Sequence, residues 1–141
     1  ARREDPNPGL PARAWQIPVA AKVTGLAFLH TCDRPENFRR HIYDRQNVNP
    51  GQIARYIVYF ADGRQLEVPL RWNKEIADWN SQLGAALAET AWQGRTREGA
   101  HIRLGVFRWE NPWPEVAVEA VDFVSGGDKV RPVLLAATGW R

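Results

Sequence analysis

From Ile53 to Phe60 the chain alternates with a period of two: Ile53, Arg55, Ile57 and Tyr59 share one side, and Ala54, Tyr56, Val58 and Phe60 the other. An Asp62-Gly63 pair follows, then Leu66, Val68 and Leu70. Asp-Gly supplies the positive φ angles that a two-residue hairpin turn requires, so this stretch predicts a β-hairpin. Both faces of its first strand are largely apolar. That pattern belongs to a central strand covered twice, or to one covered on a single side with aromatics presented on the other. Pro69 cannot donate to a ladder, which puts the second strand at an edge or bends it there.

Five further short apolar runs read as strands: KVTGLAFLHTC, ETAWQGR, HIRLGVFRWEN, EVAVEAVDFVS and RPVLLAATGW. Gly, Pro, Asn or Asp clusters separate them. Helical spacing is visible only around NSQLGAALAET, through Leu83, Ala86 and Leu87, and Gly84 limits it to a turn or one short helix. Seven or eight short strands without alternating helices predict an all-β domain, a jelly roll or β-sandwich of two antiparallel sheets. The opening ARREDPNPGLPARAWQIP is rich in Pro and charge. It divides the chain into an extended arm or linker over 1–20 and a single domain over 21–141.

Composition narrows the class. The 141 residues are enough for one core, and no apolar run approaches the roughly 20 residues of a membrane-spanning helix. A single cysteine, Cys32, excludes an internal disulfide. The chain begins at Ala1 and holds no methionine, which reads as an excised domain or a processed protein. Net charge is +3, but the cations alternate with sixteen acids and never run longer than two. Such interleaving lacks the footprint of a phosphate-backbone binder, so nucleic acid is not expected as a partner.

Several segments together, LAFLHTC, YIVYFADGRQLEVPL with IADW after it, FRWENPWPEVAVEAVDFVS and PVLLAAT, resemble the galactose-binding-domain-like β-sandwich modules of large bacterial extracellular enzymes. The resemblance covers about Lys22 to Thr138. It implies a jelly-roll sandwich that often binds sugar and sometimes carries a structural calcium. It also implies an extracellular or periplasmic location, with neighbouring domains of a larger protein as partners.

Seven tryptophans are the strongest chemical signal. A flat indole covers the C–H face of a pyranose while neighbouring amides and carboxylates bond its hydroxyls. Trp92 and Trp109 lie inside strand patterns and are expected in the core. Trp72, Trp79 and Trp113 lie in or beside polar loops and are expected to be exposed. Two ligand-binding groups follow: Trp72, Asn73, Asp78 and Trp79 in LRWNKEIADWN, and Glu110, Asn111 and Trp113 in the proline-stiffened WENPWPE corner. The long connection CDRPENFRRHIYDRQNVNPGQ offers Asp33, Glu36, Asp44, Asn47 and Asn49 as oxygen ligands for calcium, without the spacing of a calcium loop. Arg34, Arg39, Arg40, His41 and Arg45 make the same connection basic, as an acidic glycan would require.

Catalytic readings are weaker. His30 and Cys32 share a strand face with no nucleophile signature around them, and Glu67, Asp78, Glu110 and Asp122 cannot be paired across a cleft from spacing alone. Three isolated histidines and one cysteine do not make a zinc site. No catalytic residue, resident metal or cofactor is assigned. The expected function is a non-catalytic carbohydrate-binding-type accessory module that holds a larger extracellular protein to a polysaccharide or oligosaccharide. The competing expectation is a structural or protein-interaction module of the same fold, with every tryptophan internal.

Overall fold

The structure is a computed structural model and describes residues 13–33, 52–81, 84–126 and 131–141. Eight strands form there: β1 (Arg13–Ala21), β2 (Gly25–Asp33), β3 (Gln52–Phe60), β4 (Gln65–Arg71), β5 (Ala88–Arg95), β6 (His101–Glu110), β7 (Val118–Ser125) and β8 (Arg131–Trp140). They make two four-stranded antiparallel sheets, β1-β7-β3-β4 (sheet A) and β5-β6-β2-β8 (sheet B). The chain is an all-β sandwich, and no helix occurs among the described residues. The stretch 84–87, read as a turn or short helix, is a turn leading into β5.

The β3–β4 hairpin forms where the alternation placed it, but its loop has three residues. Gly63 N–H donates to Phe60 O at 3.0 Å and Phe60 N–H to Arg64 O at 2.9 Å, so Ala61, Asp62 and Gly63 make the reversal. Only Gly63 of the Asp-Gly pair takes a positive φ, 89°. Asp62 instead accepts the Arg64 N–H at 3.1 Å, a side-chain brace that a two-residue turn would not hold. β3 is central, between β7 and β4, and β4 with Pro69 is an edge.

Ala54, Tyr56, Val58 and Phe60 point into the core, where they meet Leu26, Phe28 and Cys32 of β2 and Phe107 of β6. Across the sandwich the Phe28 and Tyr56 rings stack with centroids 3.8 Å apart. One buried polar pair ties the sheets at the same level: Tyr56 Oη lies 2.7 Å from His30 Nδ1, and His30 Nε2 lies 2.6 Å from Glu75 O. A carbonyl only accepts, so Nε2 carries the proton and Nδ1 accepts from the tyrosine. Burial holds the His30 imidazole below its ordinary value against the opposing pull of Glu75, and burial pushes the Tyr56 hydroxyl well up.

The second half of the segment read as an arm is an edge strand. β1 pairs with β7, with register shifts between Ala14 and Ile17 and between Pro18 and Ala21. Gln16 and Ala20 take positive φ values of 49° and 51° at these bulges. The first bulge turns the Gln16 N–H onto Asp122 Oδ1 at 2.6 Å. Asp122, fully buried on β7, also accepts from Arg13 Nη2 at 2.6 Å and Tyr59 Oη at 2.8 Å. Burial alone would raise its pKa; these three donors outweigh burial and hold the carboxyl below the usual carboxylate range.

Candidate functional site

The structure separates the two expected groups of ligand-binding residues. Cys32, at the far end of β2, bridges to Asp78, whereas Gly25, at its start, pairs with Glu110. Seven residue steps of extended strand separate them, about 24 Å. A single sugar unit reaches only one of the two groups.

At the first group the connection after β4 folds back on itself. Arg71 donates from its backbone N–H and its guanidinium to the buried carboxylate of Glu75, at 2.9 Å for both the backbone and the Nε contact. Asn73 takes a positive φ of 63°, and its N–H closes onto Ile76 O at 2.7 Å. This tight reversal drives Trp72 inward. Trp72 is only 7% exposed and its indole N–H reaches Asp78 Oδ1 at 3.4 Å, which corrects the expectation that it is an exposed platform. Asp78 is buried too and also takes the Cys32 thiol at 3.4 Å. Residues 77–79 wedge between β2 and β6 where those strands part: Cys32 N–H donates to Ala77 O, Trp79 N–H to Cys32 O and Arg103 N–H to Trp79 O. Trp79 is half-buried and donates from Nε1 to Asp33 Oδ1 at 3.0 Å. Of this group only Asn73 stands fully in solvent.

In the second group Asn111 is a staple. Its side-chain amide donates to Val23 O at 2.9 Å, and its side-chain oxygen accepts the Trp113 N–H at 2.9 Å. Asn111 is buried, and these bonds hold the corner to the start of β2. Trp113 is half-buried, with Phe60 edge-on at 5.0 Å between centroids and the Arg64 guanidinium 4.0 Å over its ring. The stiff corner therefore packs its indole against the β3–β4 turn. Glu110 is exposed at the end of β6. Of the calcium-ligand candidates, Asp33 bonds Trp79 and the others lie outside the described residues, as do Arg34, Arg39, Arg40, His41 and Arg45. Among the described residues no group of three or more acidic, His or Cys side chains converges on a common point.

The exposed indole is one that the sequence placed in the core. Trp92 is 51% exposed on the outer face of sheet B. A bulge explains the reversal: Ala88 and Thr90 pair with the core-side residues Phe107 and Gly105, a register shift follows, and Trp92 pairs with Leu104. The extra residue turns Trp92 outward. Its ring lies against Gly94, where a Cβ would sit 2.6 Å from the indole. Leu104, Ile102 and Val106 share this face by alternation, with Leu29 opposite Val106 and Ala136 opposite Leu29. Arg108 and Glu89 stand on the same face and are exposed, with 3.9 Å between guanidinium and carboxylate. β6 carried the signal in its sequence, since Ile102, Leu104 and Val106 form an apolar row opposite the one that Phe107 and Trp109 place inside.

Compared with family models, curated proteins and solved structures, the chain matches none.

Proposed function

We propose that the protein is a non-catalytic binding module that lies flat against a carbohydrate chain, with the outer face of sheet B as its working surface. The observation that carries this reading is Trp92: its six-membered ring lies against Gly94, and the side chain is half in solvent on the outer face of sheet B. A ring laid down in this way covers the C–H side of a pyranose without reorganising. Glu89 pairs with Val106, one row or about 7 Å of strand along from the Trp92–Leu104 pair, and its exposed carboxylate lies 3.9 Å from the Arg108 guanidinium. That is within reach of the hydroxyls of the next sugar unit. The acids deeper in the fold are engaged elsewhere: Asp122 and Glu75 each accept several bonds from the protein's own groups.

A shallow site with one ring and two polar partners binds weakly, about 1 mM or about −4 kcal/mol per site. Retention on insoluble polysaccharides, followed by titration calorimetry with soluble oligosaccharides, tests the reading. Binding that disappears in Trp92→Ser and persists in Trp113→Ala supports it. Absence of retention on neutral and anionic polysaccharides alike removes it.

A second reading is favoured by the aliphatic row Ile102, Leu104 and Val106, which offers no hydrogen-bonding group to a sugar. On that reading the same face packs on an apolar surface of a neighbouring domain. A photo-crosslinker at Ile102 distinguishes the two, because a discrete protein adduct forms only if that face is covered by protein.

A further inference from the structure

Each sheet leaves two edge strands; all four hold a proline or a bulge, and β8, with one bulge and Pro132, differs from the other three in carrying no charge beyond its first residue and no second bulge. β1 is bulged twice and holds Pro18, β4 carries Glu67 and Pro69, and β5 is bulged and carries Glu89 and Arg95. β8 is ten residues long, and Arg131, its first residue, is its only charged side chain. Among the described residues nothing pairs with its outer edge. Val133 and Leu135 on it are 38% and 52% exposed.

The hydrogen-bond phase of β8 follows from its neighbours. Cys32 turns its N–H and C=O to Ala77 and Trp79, away from β8, so Pro132, which pairs with Cys32, faces the open edge. Trp140 O accepts the Thr24 N–H at 2.7 Å and therefore faces β2. Counting inward from both ends, Pro132, Leu134, Ala137 and Gly139 point their backbone groups outward, and the bulge beside Leu135 and Ala136 absorbs the change of phase. This set is symmetric about the midpoint of the strand.

We propose that β8 is a homodimerisation edge, on which the β8 of a second copy of this chain pairs antiparallel about a two-fold axis between Leu135 and Ala136. In that register Leu134 lies opposite Ala137, Pro132 opposite Gly139, Val133 opposite Thr138 and Leu135 opposite Ala136. Pro132, Leu134 and Leu135 of the first half thus meet the small residues Gly139, Ala137 and Ala136 of the second. The outward backbone groups coincide, giving about six intermolecular hydrogen bonds, since Pro132 lacks a donor. Charge fits as well: Arg131 comes opposite the Trp140 indole as a cation–π pair, and no like charges meet along the strand.

Below Ala137 an apolar cleft opens between β1 and β8, lined by Ile17, Val19, Leu26, Phe28, Val121 and Ala137. Leu134 of the second copy, which already packs partly on its own core, comes opposite Ala137 at the mouth of this cleft. A contact about 30 Å long and roughly 15 Å deep buries on the order of 1,000 Å² in total, below the range of stable complexes and in that of weak, concentration-dependent ones. The dimer does not depend on what Trp92 binds.

Sedimentation velocity on the protein from about 1 µM to 1 mM tests the proposal. A concentration-dependent dimer is expected, weakened at least tenfold by Leu135→Lys, which brings two cations together at the axis, and by Ala137→Pro, which removes an outward donor. Circular dichroism and the thermal midpoint of Leu135→Lys are expected to match the parent, because that side chain already stands in solvent. A monomer throughout the concentration range overturns the proposal. So does a dimer of unchanged strength in Leu135→Lys, and if Trp92→Ser then dissolves it, the contact belongs to the outer face of sheet B instead.

Discussion

At the scale of single residues the fold is held by buried polar groups whose partners are all internal. Asp122 is a carboxylate that the protein keeps charged in a fully buried position by meeting it with a guanidinium, a phenol and a backbone N–H. Asp122→Ala leaves those donors facing a void and is expected to cost about 3 kcal/mol in urea denaturation. Its lowered pKa also fixes a sign. Asp122 contributes its full stability above the unfolded carboxylate pKa and loses it as pH falls through the lower folded value. His30 works in the same direction at milder pH. Its folded pKa lies below that of the unfolded chain, so the fold is favoured above about pH 6.5 and weakens as pH falls toward the folded value. Urea midpoints measured from pH 7.5 to 5 are expected to fall for the parent protein and to fall less for His30→Gln.

The two tryptophans whose exposure the sequence reverses make a direct comparison. Trp72→Ala empties a packed site and is expected to cost about 3–5 kcal/mol, whereas Trp92→Ser should change stability by no more than about 0.5 kcal/mol. Denaturation midpoints of the two variants measure the difference. An aromatic in a polar loop looks exposed because loops run over the surface. Here the Arg71–Glu75 brace and the left-handed Asn73 fold the loop over its own indole. Those are tertiary facts with no signature in residue spacing.

At the scale of elements, most of the strands were legible. The β3–β4 hairpin, β6 and β8 follow alternation and turn chemistry, which are local. Gly63, with a φ of 89° and no atom within 4 Å of where a Cβ would stand, isolates the cost of that backbone angle. Gly63→Ala is expected to cost about 1 kcal/mol and Gly63→Asn less, read from thermal midpoints. Two elements were read differently for one reason, the β-bulge. Bulges at Gln16 and Ala20 break the alternation of β1 so that it reads as an arm, and the bulge before Trp92 inverts the face of β5. A period-two pattern cannot show an inserted residue, because insertion swaps inside for outside without changing composition. Gly94 belongs with this second bulge. Gly94→Ala is expected to lift the Trp92 ring and shift its fluorescence while leaving far-ultraviolet circular dichroism unchanged.

At the scale of the whole molecule, the sandwich was legible and the strand order was not. Alternation states that a strand has two faces; it does not name its neighbours. The consequence for the site is direct, since the two expected groups, around Trp79 and around Trp113, are carried to opposite ends of β2. The strand order also sets the reach of the β8 pairing. Placing two copies edge to edge makes one eight-stranded sheet with a Trp92 on each outermost strand, about 34 Å apart. Two weak platforms held at fixed spacing bind a long polymer by avidity, so retention on polysaccharide is expected to rise more steeply than linearly with protein concentration around the dimer constant.

The pairing of β1 with β7 has a temporal side. Arg13 and Asp122 are 109 residues apart in the chain, and among the described residues β7 is the strand that joins β1 to sheet A. While the polypeptide is being made, at about 5–20 residues per second, Arg13–Ala21 leaves the ribosome several seconds before its partner exists. During that interval β1 lacks the strand it pairs with in the fold, and two left-handed bulges together with Pro18 disfavour its pairing with another edge. The irregularity that hides this strand in the sequence thus protects the nascent chain until its partner arrives.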